Sequence, residues 1–521
     1  MDENSKRIII LHPILIALFP VFLIYSQNIH LILIQGIIFP ALIILVVLIA
    51  LWAVIKIILK STRKSALLSS LYTFLFFSYG HFFNILKLNS TQEYFIAIHA
   101  FLLITYTVIV VFATYYLVKT NRKLDNTTRI INVMSIALIG FVLFNIGMYN
   151  FENPYNNFQD EAPNSIVLGN NFNNTPDVYY IMLDEYASLG TLDRFYDYDN
   201  SDFIEFLQDH NFYVTKSSHS NYGGTFLAAA STLNMKYLNY LSDELGSESL
   251  DQRTPYQMIS NNIVMQNFKS VGYQVYNFDS GWWGTRSLEI ADVNLCSKNQ
   301  NMDFHTLYQL KQTSVLRAFD VFIKEPGSKI FQQERRDRIN CQFDEIVKIK
   351  QKTDKPVFVF MHVVAPHDPY VFGPNGEEVD YKYTFGPTAN QGYLTPSEEN
   401  KAYLDQLTYL TKILQQTVEK LQSSDSPPII ILQSDTGPSV GFGAITEKEY
   451  QVERMSIFNA YYFPNNDFRL FYNDITPVNS FRIVFDSHFQ TNYGLLEDKV
   501  FFSTPEKPFT LIEITDFLIL D

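Results

Sequence analysis

The sequence predicts an α/β domain carried behind five membrane-spanning helices. Three observations lead there. Five long stretches without Asp, Glu, Lys or Arg crowd into the first 149 residues, and after residue 176 short apolar runs alternate with helical patterns. Charge also separates between the two parts. The 521-residue chain carries 39 Lys plus Arg against 53 Asp plus Glu, a net charge of −14. Its mean hydropathy is nevertheless zero, whereas a soluble chain this acidic ordinarily sits on the polar side. Residues 1–149 hold 11 basic and 4 acidic side chains, giving +7, and the remainder holds 28 and 49, giving −21. So acidic an exported part excludes a nucleic-acid binder, which meets phosphates with a basic field. Two cysteines exclude a disulfide framework and a thiolate zinc cluster.

The apolar stretches are Ile8 to Tyr25, Leu31 to Ile55, Ser65 to Leu86, Tyr94 to Val118 and Ile130 to Tyr149. Each is long enough to cross a hydrocarbon core of roughly 30 Å at about 1.5 Å per residue. Basic residues gather at Lys6 and Arg7, at Lys60, Arg63 and Lys64, and at Lys119, Arg122, Lys123 and Arg129, whereas loops 26–30 and 87–93 hold only Lys87. By the positive-inside bias the N-terminus is cytoplasmic and everything after Tyr149 is extracytoplasmic. No small-residue cleavage site follows the first stretch, so it reads as a retained anchor. Domain 1–149 is therefore expected to sit in the cell membrane. Residues 150–176, rich in Asn with little periodicity, read as a mobile linker to a domain of 177–521.

Within that domain, Asp177 to Leu183, Tyr273 to Phe278, Pro356 to Val363 and Pro428 to Leu432 read as strands buried on both faces. Asp202 to His210, Pro255 to Val271 and Ser397 to Gln422 read as helices covering a mainly parallel sheet. In such sheets ligands bind at strand ends. The first strand ends in Asp184-Glu185, the third runs from His362 to His367-Asp368, and the fourth ends in Asp435-Thr436-Gly437. An Asp at one strand end is commonly a turn former; three such ends together suit a hard-cation site with an anionic ester above it. In SNYGGTFLAAASTLNM two glycines precede Thr225 and an Ala-rich helix begins there. Its hydroxyl would lie at a helix N-terminus, where an alkoxide and an incoming anion are favoured. Thr is also a common N-cap.

With these residues in view, the exported part resembles the alkaline phosphatase and sulfatase superfamily, and within it the membrane-anchored branch of lipoteichoic acid synthases and phosphoethanolamine transferases. The resemblance rests on PDVYYIMLDEY, SNYGGTFLAAASTLNMKYL, HVVAPHDPYVFGPNG, IIILQSDTGP and ERMSIFNAYYFPNND with ITPVNSFRIVF. It implies an alkaline-phosphatase-like α/β/α sandwich, with Asp184 and Asp435 as ligands of a divalent metal ion, Mn, Mg or Zn. Thr225 would be the metal-bound nucleophile, and His367, with His362, would hold the phosphoryl oxygens. Formylglycine sulfatases begin their motif with Cys or Ser; neither Cys296 nor Cys341 opens one, which disfavours sulfate hydrolysis by that route. Two positions depart from the pattern. Thr436 stands where His usually follows the metal Asp, and Glu185 stands where Gly is common; either side chain is a candidate extra ligand.

Asp435-Thr436-Gly437 and Asp279-Ser280-Gly281 both spell an aspartic-protease signature, but Pro438 and Trp282 follow where that chemistry wants a hydroxyl residue. Gly281-Trp282-Trp283-Gly284 reads as an aromatic wall for a headgroup or glycan, or as core. The run 332–338 reads as a solvated helix face. Cys296 and Cys341 permit a disulfide or two buried thiols. His12, His81 and His99 lie in the spans and read as a lipid or proton path, or as packing. The expected activity is transfer of a lipid phospho-headgroup through Thr225 to an envelope glycan acceptor or water, with Arg454 and Trp282 helping to hold substrate. The alternative is a sulfatase-like pseudoenzyme that binds envelope glycan or headgroups without turnover, a reading favoured by Thr436.

Overall fold

The computed structural model describes residues 8–30, 34–87, 94–152, 175–297, 304–322, 326–379, 394–438 and 446–518. Described residues of Met1–Pro154 and Asn299–Phe331 make one compact unit, and those of Tyr155–Lys298, Gln332–Thr384 and Ala389–Asp521 make a second. Most of the linker expected at 150–176 lies outside the described residues.

The first unit contains five apolar helices: α1 (His12–Gln27), α2 (Gln35–Leu59), α3 (Thr62–Lys87), α4 (Phe95–Lys119) and α5 (Asp125–Glu152). The last four have 25 to 28 residues and are long and apolar enough to cross a membrane. At 16 residues α1 is shorter, about 24 Å. Most large apolar side chains of α2, α4 and α5 face outward, as lipid-facing surfaces do, whereas α3 buries Ser65, Ser69, Ser70 and Thr73 among its neighbours. His12 bonds Ser70 Oγ at 2.5 Å, and His99 bonds the Tyr79 hydroxyl at 2.8 Å while stacking on Phe83. These two histidines are interior packing groups. The helices Phe304–Thr313 and Leu316–Phe322 belong to this unit, not to the exported domain in which their sequence position had placed them. Their attachment explains Gly80 of α3, where an added Cβ would lie 2.1 Å from the Gln312 carbonyl.

The second unit is built on a seven-stranded sheet. Its strands are β1 (Val178–Asp184), β2 (Phe212–Val214), β3 (Gln274–Phe278), β4 (Val293–Leu295), β5 (Val357–Pro366), β6 (Ile429–Ser434) and β7 (Asn459–Tyr462), in the order β2-β7-β6-β1-β5-β3-β4. The four strands expected from sequence are the four contiguous central ones, β6, β1, β5 and β3, all parallel. Their burial on both faces follows from alternation: Val178, Tyr180 and Met182 enter one core, and Tyr179, Ile181 and Leu183 the other. Helices Thr225–Asn234 and Pro477–His488 contribute to the first core and Ser201–Asp209 and Pro396–Gln422 to the second, which makes an α/β/α sandwich.

The helix expected over Pro255 to Val271 is two helices, Arg253–Ser260 and Ile263–Ser270, because Asn262 accepts from Met265 N at 2.9 Å and caps the second. A C-terminal hairpin, β8 (Phe501–Thr504) with β9 (Lys507–Glu513), brings Phe501 against Tyr222 and Phe509 against Phe226, beside the start of the Thr225 helix.

Candidate active site

Asp184 ends β1 at a point where the register with β5 slips, from Leu183 opposite Val363 to Asp184 opposite Pro366. A bulge of this kind re-aims the side chain that follows it. Asp435 follows β6, and its backbone N–H is held by the Leu183 carbonyl at 3.1 Å, which sets the two aspartates side by side. His362 lies on β5, opposite Met182 of β1. One ligand atom from each of Asp184, His362 and Asp435 lies within 4.8 Å of the other two, and all three residues are buried. His362 Nε2 stands 3.8 Å from Asp184 Oδ2.

The bonding of these side chains shows what the cluster lacks. Asp184 Oδ1, Asp435 Oδ2 and His362 Nε2 are buried without a hydrogen-bond partner among the described residues. Burial raises the Asp184 pKa to about 8, helped by the Asp435 charge, and burial also raises that of Asp435. Burial drives His362 the other way, to about 3, so its imidazole is neutral. Two buried carboxylates and a neutral imidazole with orphaned lone pairs are a donor set that a divalent cation satisfies. The residues present therefore fit the metal that the resemblance implies.

Thr225 opens its helix at the first turn, and Gly224, not Thr225, is the N-cap. Its side chain is thus free of capping, and it lies beside the Asp435 carboxylate, whose pKa it lowers. Asp435 Oδ1 meanwhile accepts from Thr436 N at 2.7 Å and from Glu185 N at 3.3 Å. The Thr436 hydroxyl is buried and has no partner.

Glu185 has a left-handed backbone, φ 66°, which a glycine adopts more easily. Its carboxylate pairs with Arg454 Nη1 at 2.5 Å, and His367 Nε2 lies 3.8 Å away. Arg454, expected to meet substrate, commits Nε to the Gly223 carbonyl at 2.9 Å and Nη1 also to the Gly437 carbonyl at 2.7 Å. It joins the loop before Thr225, the loop after Asp435 and Glu185. The Gly437 of the protease-like triplet has a separate reason: an added Cβ would stand 2.0 Å from the Glu453 carbonyl, so only glycine lets helix Glu447–Met455 approach.

His367 is about a third exposed and pairs through Nδ1 with Asp368 at 2.9 Å. Burial opposes its charge, but Glu185, Asp184 and Asp368 outweigh that and lift its pKa well above the ordinary imidazole range. Trp282 meets the His362 ring edge-to-face at 5.7 Å and Tyr256 at 5.3 Å, so it stands beside the centre.

Two sequence readings are corrected or completed here. The run 332–338 is not a solvated face: Arg335 Nη2 donates to the Val364 and His367 carbonyls, Arg336 to those of Val371 and Gly376, and Arg338 pairs with Glu334. Charge alternation alone does not show that arginines are aimed at a loop's carbonyls. Cys296 and Cys341 form a disulfide. Sequence reasoning missed Thr285 and Gln342, which bond His362 and carry no motif.

A family model described as Sulfatase matches residues 176–480, more than half of the chain. No curated protein matches. Solved structures that align with the chain include the C-terminal periplasmic domain of EcEptC from Escherichia coli in complex with Zn, at 11% identity over 65% of this chain and 93% of that one, with a TM-score of 0.39. The integral membrane lipooligosaccharide phosphoethanolamine transferase A from Neisseria meningitidis aligns at 11% identity over 92% and 95%, TM-score 0.39. A sulfatase of glycosaminoglycan metabolism from Bacteroides thetaiotaomicron aligns at 12% identity over 65% and 84%, TM-score 0.38. With a matched domain that holds Asp184, Thr225, His362, His367 and Asp435, and apolar helices that make it a membrane protein, the chain belongs to the sulfatase family.

Proposed function

We propose that this protein is a membrane-anchored, metal-dependent transferase that moves a lipid phospho-headgroup onto Thr225 and then to an envelope glycan acceptor or water. The observation that carries the reading is the approach of Thr225 to a buried Asp184, His362 and Asp435 cluster whose lone pairs have no partner. Membership of the family narrows the chemistry to transfer or hydrolysis of phosphate or sulfate esters. A bound divalent ion, held by Asp184, Asp435 and Thr225, would lower the hydroxyl pKa and screen the ester's charge.

In the first step the Thr225 Oγ–P bond forms as the P–O bond to the lipid alcohol breaks. The Thr225 proton passes to the neighbouring Asp435 carboxylate. His367, held as an imidazolium by Glu185, Asp184 and Asp368, stabilises the phosphoryl oxygens and supplies the proton that the leaving alkoxide takes up. In the second step an acceptor hydroxyl attacks the phosphothreonine and gives its proton to His367, while the Thr225 Oγ–P bond breaks and the Thr225 oxygen takes back the proton held by Asp435. Trp282, beside His362, offers an aromatic face to the headgroup.

On this reading the N-terminus is cytoplasmic and the catalytic domain extracytoplasmic; the basic loops, and the Cys296–Cys341 disulfide, which is stable outside the cytoplasm, support it. Anchoring confines enzyme and donor lipid to one bilayer and raises the donor's effective concentration. The test is transfer from a lipid with a labelled headgroup, with Mn²⁺, Mg²⁺ or Zn²⁺, by wild type and Thr225→Ala. Turnover and a labelled Thr225 in wild type alone support the reading; equal turnover by Thr225→Ala removes the nucleophile. Thr436, a neutral residue with an unpartnered hydroxyl, favours the second reading, a binding protein without turnover. Headgroup binding with no transfer under any of these metals would select it.

A further inference from the structure

Resting on that reading, we infer that His362 Nε2, from β5, is the imidazole ligand of the metal, and that Thr285 is the residue that positions it. Among the described residues the site offers no other imidazole lone pair. The residue directly after Asp435 is Thr436. The nearby His367 has Nδ1 turned to Asp368 and Nε2 towards Glu185. His362 by contrast is wholly buried, and its Nε2 is an orphan facing Asp184.

The other ring nitrogen accounts for that orientation. His362 Nδ1 lies 2.8 Å from Thr285 Oγ1, which lies 2.7 Å from Ser280 Oγ. Ser280 Oγ in turn reaches the Trp282 carbonyl at 3.4 Å. Read outward from the ring, each group donates to the next and the chain ends on an acceptor: Nδ1–H to Thr285, Thr285 to Ser280, Ser280 to the carbonyl. That direction puts the ring proton on Nδ1 and leaves the Nε2 lone pair free for a cation. Gln342 holds the backbone of the same residue, donating to the His362 carbonyl at 2.9 Å and to the Asp279 carbonyl at 3.1 Å. The Trp282 ring packs edge-to-face with His362 at 5.7 Å. Thr285 touches neither substrate nor metal, so it is a positioning residue.

The test is metal binding by the full-length protein in detergent, independent of turnover. X-ray absorption of the Zn²⁺-loaded wild type is expected to show one imidazole in the first shell and none in His362→Ala; a wild-type shell without imidazole overturns the inference. By chelator competition, His362→Ala should bind Zn²⁺ at least about 100-fold more weakly, Thr285→Val about 10- to 100-fold more weakly, and Thr285→Ser nearly as wild type. Full affinity in Thr285→Val removes its positioning role. If Asp184→Asn and Asp435→Asn lose the metal while His362→Ala keeps it, this inference fails and the metal centre stands. If none of the three loses it, the centre itself is wrong.

Discussion

Glu453 gives the sharpest test of the electrostatics around the site. Its side chain is wholly buried; Oε1 accepts from the Tyr196 hydroxyl at 2.6 Å and Oε2 has no partner. Burial raises its pKa from the usual 4.5 to about 7, with the Tyr196 hydrogen bond opposing and the Glu185 charge adding. The unfolded chain releases this proton near pH 4.5 and the folded protein holds it until about pH 7. Across that window the folded state binds more protons, so stability is present below pH 4.5 and lost as pH rises through 7. At about 1.4 kcal/mol per unit, the difference of some 2.5 units corresponds to ~3 kcal/mol. Glu453→Gln keeps an acceptor for Tyr196 and never ionises. Thermal unfolding of the metal-loaded full-length protein should therefore give matching melting temperatures at pH 5 and a variant several degrees more stable at pH 8. Parallel profiles for wild type and variant, or a variant less stable at pH 8, would refute the reasoning.

Chelation should lower the melting temperature more at pH 8 than at pH 5, since without a cation the raised Asp184 and Asp435 pKa values withdraw stability as pH rises; restoring metal at about 100 times its Kd should return ~2.7 kcal/mol. Arg335→Met frees the Val364 and His367 carbonyls, so KM for the donor lipid should rise about tenfold with a stability loss of ~2 kcal/mol, read from initial rates and thermal melts. Replacing Cys296 and Cys341 together by Ser opens a link across 45 residues and should cost up to ~4 kcal/mol, measured by denaturant unfolding in oxidising buffer.

The sequence was legible where physics acts locally. β1, β5 and β6 announce themselves as continuous apolar runs because both their faces are covered; Asp184 ends β1, Asp435 follows β6, and His362 lies within β5 opposite Met182. Edge strands β2 and β4 have three residues each, too short for any period, and the β8–β9 hairpin is held by long-range contacts such as Tyr222 with Phe501. The site's supporting shell was hidden for the same reason. Thr285 stands 77 residues before His362, and Arg335 lies in a run whose composition fits a solvated helix. Only the fold shows which carbonyls that arginine faces.

On the proposed function, charge pairing within the site is what would let so acidic a domain hold an anionic headgroup. Glu185 is matched by Arg454, and Asp368 is matched by protonated His367. Among the described residues these pairings leave the Asp184 and Asp435 carboxylates without a cationic partner in direct contact, and a divalent ion would hold both deprotonated and cancel their charge. With that ion bound the centre would be close to neutral, and on the proposed function the exposed edge of His367 would be the cationic surface that an arriving phosphate meets. Glu185 at its left-handed φ then has a function that a glycine lacks: it fixes Arg454, which holds the Gly223 and Gly437 carbonyls on either side of Thr225 and Asp435. Glu185→Gly would relax the backbone and leave Arg454 unpaired, so it should gain nothing in stability and misplace the nucleophile, lowering kcat more than it changes KM.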